Sequence, residues 1–291
     1  MPALVCAPGR SLAEEPCAPG ESSSGEDVAA ALAAAKYDAS TVRFGVDVYR
    51  LVYRTVDPSG RPVTASGLLA LPRGGEDELR TVSFTHGTVS YRSDAPSSMV
   101  KAGFVSSPAL TYASAGFAAV APDYIGLGTG PGLHPWMDVP SETTASLDML
   151  RAARAFVSST GRALGHDVLV TGFSQGASAA TGLARTLQAG DDRWFRLQAV
   201  APVSGAYDFR HAELPALLDG SLEPKSSVLY SAYLLVAWNR LHHLYDSPDE
   251  VFQVPYDSTI EALFEVRTPA RSSSRARPAL STHCSPHTAS R

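Results

Sequence analysis

The stretch Asp167 to Arg185, DVLVTGFSQGASAATGLAR, decides how the rest of this chain is read. Val168-Leu169-Val170-Thr171 is a short, mostly β-branched run that meets Gly172-Phe173-Ser174-Gln175-Gly176 and passes at once into an Ala-rich segment. The order is strand, tight turn, helix. A Gly-x-Ser-x-Gly corner holds its serine on a strained strand-to-helix turn, with the hydroxyl clear of the sheet edge. Gly172 and Gly176 lack the Cβ that would collide with the neighbouring strand and helix. The N–H groups opening the new helix point the same way, so an anion forming beside Ser174 would meet the helix's positive end.

Upstream of this corner, Gly45 to Val56 and Pro62 to Leu71 are rich in β-branched and aromatic residues, and Asp57-Pro58-Ser59-Gly60 separates them. This predicts a β-hairpin with a four-residue connection. Arg80 to Thr85 reads as a third strand running into His86-Gly87-Thr88. Pro108 to Ala115 reads as helix and Phe117 to Ala121 as strand, stopped by Pro122-Asp123-Tyr124 and the glycine-rich loop Gly126 to Gly132. From about Ser141, with Pro140 in front, Leu147, Leu150, Ala153 or Arg154, and Val157 recur near the helical period. Beyond the corner come a helix, Ala177 to Gln188, and a strand, Leu197 to Pro202. This alternation defines an α/β fold with a mostly parallel sheet after an antiparallel start. Reactive groups on such a sheet belong at the carboxyl ends of its strands, where His86-Gly87-Thr88, Asp123-Tyr124, Ser174 and Ser204 to Asp208 all fall.

From His211 to about Phe264 the alternation stops, and Ser226 to His243, SSVLYSAYLLVAWNRLHH, reads as an apolar helix with aromatics at Tyr230, Tyr233 and Trp238. The expected organisation is a weakly ordered leader at 1–42, with an Ala-rich helical segment from Glu26 to Lys36. A core follows at 43–210, then a helical insertion at 211–264. The tail at 265–291 is surplus in Ser, Arg, Pro and His, which reads as disorder.

The chain has 291 residues, 44% apolar and 18% charged, with net charge −5. That suits a sizeable core and gives no reason to expect a nucleic-acid partner. Cys6, Cys17 and Cys284 lie near the two ends and form neither a disulfide framework nor a zinc-site spacing; they read as free thiols, or as a Cys6–Cys17 bridge if the protein is exported. The opening MPALVCAPGRSLAEEP has no basic and apolar regions of a signal peptide, so none is expected unless the true start lies upstream. No run is long and apolar enough to predict stable membrane insertion.

Serine attack on an ester needs a base for the hydroxyl proton, a carboxylate to orient that base, and donors for the oxyanion. The backbone N–H of Gln175 is one expected donor. The other is the N–H of Thr88, or of Gly87, in the loop after the third strand. His86 precedes Ser174 in the chain and reads as a structural histidine beneath that loop. His211, His242, His243, His283 and His287 are the downstream histidines, and Asp208, Asp246, Asp249 and Asp257 the candidate carboxylates. Asp208 also suits a turn cap. No acid–base pair on two further strands can be picked from them, so the triad acid and base are unassigned.

Four further motifs accompany the corner GFSQGA (Gly172 to Ala177): HGT with APS (His86 to Thr88, Ala95 to Ser97), PDYIGLG (Pro122 to Gly128), HPW (His134 to Trp136) and LDMLRAAR (Leu147 to Arg154). In this order they resemble the α/β-hydrolases of the secretory lipase-like group, bacterial relatives of fungal lipase A, over about Val46 to Phe264. The resemblance implies an α/β-hydrolase fold and a cofactor-free serine esterase or lipase. It further implies an apolar acyl site under a helical cap, a small apolar ester or acylglycerol as substrate, and a protein that is usually secreted. Such relatives continue past the cap with two strands that deliver the triad Asp and His. The expectation for this chain is that those last strands are missing, through truncation or a shifted reading frame near Glu265; a catalytically inactive hydrolase or a ligand-binding module is then the alternative to an active esterase.

Overall fold

The computed structural model describes residues 21–98 and 103–265, which form two compact units, the first ending at Ala206 and the second beginning at Tyr207. The expectations placed on Cys6, Cys17, the first twenty residues and the tail beyond Glu265 lie outside the described residues.

The first unit is built on a seven-stranded sheet in the order β1-β2-β3-β5-β4-β6-β7. Its strands are β1 (Glu21–Ser23), β2 (Val46–Val56), β3 (Pro62–Pro72), β4 (Glu78–Thr85), β5 (Ala118–Pro122), β6 (Ala163–Phe173) and β7 (Arg196–Val203). β2 and β3 pair antiparallel from Val46↔Pro72 to Val56↔Pro62. β4 pairs parallel with β5 and β6, and β6 parallel with β7, whereas β3 meets β5 antiparallel. This is the antiparallel start and parallel continuation of an α/β-hydrolase sheet. The hairpin connection is five residues, not four, because the Asp57 carboxylate accepts from the N–H groups of Ser59 and Arg61 and from Arg61 Nε, which draws Arg61 into the turn.

From residue 21 onward the stretch expected as leader is built into the first unit, by a strand that was not expected and by a helix where the Ala-rich segment Glu26 to Lys36 predicts one. β1 adds to the outer edge of β2, and α1 (Gly25–Ala34) follows at once, capped by Ser24 and Asp27 in a reciprocal capping box. Val28 and Leu32 of α1 are buried against Leu110 and Ala113 of α2 (Ser107–Ser114) and against β2 and β3 on one face of the sheet. On the other face α3 (Val139–Ser159) and α4 (Gln175–Ala189) lay Met149, Leu150, Val157, Leu183 and Leu187 over Leu69, Val120, Val168 and Val170. Burial on both faces explains why β5 is an unbroken apolar run, Ala118 to Pro122, and not an alternating one. Among the described residues the sheet ends at β7, whose Val200 and Val203 are exposed.

The second unit is helical in its described part. After a π-helical turn, Phe209–Glu213, come α5 (Leu214–Asp219), α6 (Pro224–His242) and α7 (Ile260–Leu263). α6 buries Ala232, Tyr233, Val236 and Ala237, with the Tyr233 ring stacked on Phe264 at 4.6 Å. Arg240 donates to the carbonyls of Glu261 and Phe264, which ties α7 to α6.

Candidate active site

Ser174 sits where β6 ends and α4 begins, with φ 56° and ψ −121°. A non-glycine residue in that region is strained by roughly 1–3 kcal/mol and persists only where its surroundings over-determine it. They do so here. The Ser174 N–H donates to the Val203 carbonyl at the end of β7 (2.9 Å), and the Ser174 carbonyl accepts from Ala177 N to start the helix (2.9 Å). A Cβ on Gly172 would lie 2.6 Å from the Gly176 carbonyl carbon, and one on Gly176 would lie 2.6 Å from the His86 oxygen. Thr85 Oγ1 donates to the Gly176 carbonyl (2.6 Å), fastening the end of β4 to the first turn of α4. Both glycines are thus required by the close approach of backbone on either side.

The loop after β4 lies against the serine. A Cβ on Gly87 would be 3.5 Å from Ser174 Cβ and 3.1 Å from the Phe173 ring. Thr88, half-buried, accepts a hydrogen bond at Oγ1 from Trp136 Nε1 (3.0 Å). His86 beneath it is fully buried, with Nδ1 2.7 Å from the Gly87 carbonyl and Nε2 3.3 Å from the Asp123 carbonyl. Burial holds its pKa below the usual imidazole value, so the ring is neutral and its one proton belongs on the shorter contact. With both ring nitrogens turned to backbone carbonyls, His86 is a structural support for the loop.

Asp123 anchors the loop after β5 in the same way. It is buried, and its carboxylate accepts from Ser66 Oγ, Ser97 N and Ser97 Oγ. Desolvation raises its pKa against those hydrogen bonds. The APS and PDYIGLG motifs meet in this cluster. Gly126 permits a further approach, since a Cβ there would come within 2.6 Å of the Leu133 carbonyl oxygen.

A second buried polar group lies behind the serine. Gln175 Nε2 donates to Glu142 Oε1 (2.7 Å) and lies 2.9 Å from His134 Nε2. His134 Nδ1 lies 2.9 Å from the Ile125 carbonyl, which fixes the tautomer: Nδ1 donates and Nε2 accepts. Desolvation pushes His134 down to about 3 and Glu142 up to about 8, so both are uncharged at neutral pH. Neither His134 nor Glu142 was among the site residues expected from sequence. The available signal was Glu142's place on the stripe shared with Ser146, Met149 and Ala153, all buried on α3.

The candidate acid and base remain unassigned. His211 and Asp208 are joined, Nδ1 to Oδ1 at 2.8 Å, but they belong to the second unit, both are exposed, and Asp208 also accepts from the His211 N–H as a helix cap. Among the described residues no histidine is hydrogen-bonded to Ser174, and no group of three or more His, Cys, Asp or Glu side chains could hold a metal ion. No helix of the described residues is long and apolar enough to cross a membrane.

Strand order, strained serine corner and flanking loops together define an α/β-hydrolase. Comparison with known proteins agrees. The secretory lipase family model matches residues 93–191. The rice cell wall degrading esterase LipA from Xanthomonas oryzae is similar at 28% identity and TM-score 0.72, over 85% of this chain and 65% of that one. A Legionella pneumophila protein is similar at 26% identity and TM-score 0.75, over 87% of this chain and 68% of that one. Candida antarctica lipase A shares the fold, with 14% identity and TM-score 0.59 over 87% of this chain and 54% of that one. The chain therefore spans about two thirds of the length of its bacterial structural relatives and about half that of the fungal lipase. No curated protein sequence matches it. The chain thus has the α/β-hydrolase fold and is similar to the secretory lipases over the middle third of its length.

Proposed function

We propose that the protein is a serine carboxylic-ester hydrolase that works through an acyl-enzyme on Ser174. The observation that carries this reading is the Ser174 backbone, held at positive φ between two sterically obligatory glycines and beside Gly87. Ser174 Oγ attacks the acyl carbon and gives its proton to a base. The carbonyl oxygen, now an oxyanion, is met by the N–H of Gln175 and the N–H of Thr88 or Gly87. Collapse expels the alcohol, which takes up the proton, and water then hydrolyses the acyl-serine to the free acid. The chemistry calls for no cofactor.

A small apolar ester or acylglycerol fits the surroundings. Phe173 precedes the nucleophile and meets Phe104 edge to face at 5.7 Å, and both rings are exposed. They offer an apolar surface to an acyl chain at the reacting serine. The 28% identity to an esterase adds support. A non-catalytic ligand-binding module is favoured by one observation, that no histidine among the described residues is bonded to Ser174. Hydrolysis of p-nitrophenyl butyrate by the purified protein and by Ser174→Ala separates the two. A Ser174-dependent rate is the expected result; equal, near-background rates would rule out the esterase.

A further inference from the structure

The HPW motif reaches both sides of the nucleophile. Trp136 holds Thr88 from one side, and His134, two residues earlier, holds the Gln175 side chain from the other. Glu142 completes the grip: its Oε1 accepts both from Gln175 Nε2 (2.7 Å) and from Met137 N (3.2 Å), the residue after Trp136. One short loop and one helical carboxyl thus secure the two segments that supply the oxyanion donors.

The chemistry of this grip is specific. Glu142 is buried, and neither its Oε2 nor Gln175 Oε1 has a hydrogen-bond partner among the described residues. A carboxylate would place a second acceptor in a site that already holds an unpartnered amide oxygen, whereas a proton on the carboxyl converts one acceptor into a donor. The ionisable groups around it supply no positive charge. Asp138 opens the same helix, Tyr124 comes from the loop after β5, and His134 is in the tautomer that accepts from Gln175. An unpaired carboxylate buried there would carry a large desolvation penalty.

We infer that His134, Trp136 and Glu142 form a positioning brace for the oxyanion donors, in which Glu142 acts as a neutral carboxylic acid that fixes the Gln175 side chain. The brace rests on the esterase reading for its purpose. Its protonation state can be read without any activity.

Two measurements on the full chain test it. Difference infrared spectroscopy at pH 7, wild type against Glu142→Gln, is expected to show the carbonyl stretch of a protonated carboxylic acid only in the wild type; its absence from the wild type overturns the neutral-acid assignment. Kinetics with p-nitrophenyl butyrate are expected to show Glu142→Leu and Trp136→Phe lowering kcat about tenfold or more while KM stays within about twofold, because a displaced donor is felt mainly in the transition state. Glu142→Gln, whose amide can both accept from and donate to Gln175, is expected to recover most of the rate lost in Glu142→Leu. If Glu142→Leu fails to fold, the Trp136→Phe split and the infrared band still decide. Unchanged kcat in Trp136→Phe, or a Glu142→Gln rate as low as that of Glu142→Leu, overturns the brace. A wild type with no Ser174-dependent rate instead overturns the esterase reading, and the infrared band then judges the Glu142 assignment alone.

Discussion

Replacing Glu142 by Gln should change how stability depends on pH, in a window set by one buried carboxyl. Burial raises the Glu142 pKa from 4.5 to about 8, against the hydrogen bonds from Gln175 and Met137 N that favour its charge. Below pH 4.5 the carboxyl is protonated in both folded and unfolded chains, and its titration contributes no slope. Between 4.5 and about 8 the unfolded chain releases the proton while the folded chain keeps it, so stability falls as pH rises, by roughly 1.4 kcal/mol per pH unit from this group. Above about 8 both states are ionised and the slope vanishes; the full loss is on the order of 5 kcal/mol. Urea unfolding of wild type and Glu142→Gln across pH 4 to 9 gives the difference curve, in which the contributions common to both proteins, those of His134 and His86 in the opposite sense and of Asp123 in the same sense, largely cancel. That curve is expected to fall through the window. A flat curve, or one that rises with pH, would refute the reasoning, since a rising curve means a carboxylate that folding stabilises.

Gly176→Ala should cost about 3 kcal/mol or more, because its methyl would stand 2.6 Å from the His86 oxygen, against backbone that cannot swing aside, and overpacking of this kind costs 1–3 kcal/mol even among side chains. A thermal melt within a degree or two of wild type would contradict it. His134 works in the opposite sense to Glu142: its pKa is lowered from 6.5 to about 3, so the folded chain resists protonation and stability is lost as pH falls below 6.5. A His134→Phe variant should lose that part of its acid sensitivity, measured as the slope of unfolding free energy between pH 6.5 and 4. Asp123→Asn should destabilise by about 1–3 kcal/mol, since a carboxamide cannot accept from both Ser97 and Ser66 as the carboxylate does; denaturant midpoints of the two proteins check it.

The serine corner and the hairpin were legible because their signals are local. Gly172 and Gly176 announce a backbone that a Cβ would obstruct, and β-branched runs broken by Asp57-Pro58-Ser59-Gly60 announce paired strands. β1 was not legible. Glu21-Ser22-Ser23 has no strand composition, and it pairs because β2 presents an open edge twenty-odd residues away, with Ser22 Oγ donating to Asp47 (2.5 Å). The polar group behind Ser174 was hidden for the same reason. Residues 134, 142 and 175 come from a loop and two helices, and their meeting depends on how α3 and α4 pack. Sequence spacing points along one helix face and says little about which faces converge.

That convergence bears on why a strained serine can be kept. The positive φ of Ser174 would relax if α4 could rotate or slide away from β6. The Gly176 carbonyl is fastened to Thr85, and the Ser174 N–H to Val203, so the corner is pinned from the strands on both flanks. Gln175, the next residue, is pinned from behind by Glu142 and His134. Each tie alone contributes about 1 kcal/mol, less than the upper range of the strain it opposes, so no one of them suffices. Together they exceed it. On the proposed esterase reading, loosening one tie should therefore leave the fold intact while letting the Gln175 N–H drift, so that kcat would report on this region more sensitively than stability does.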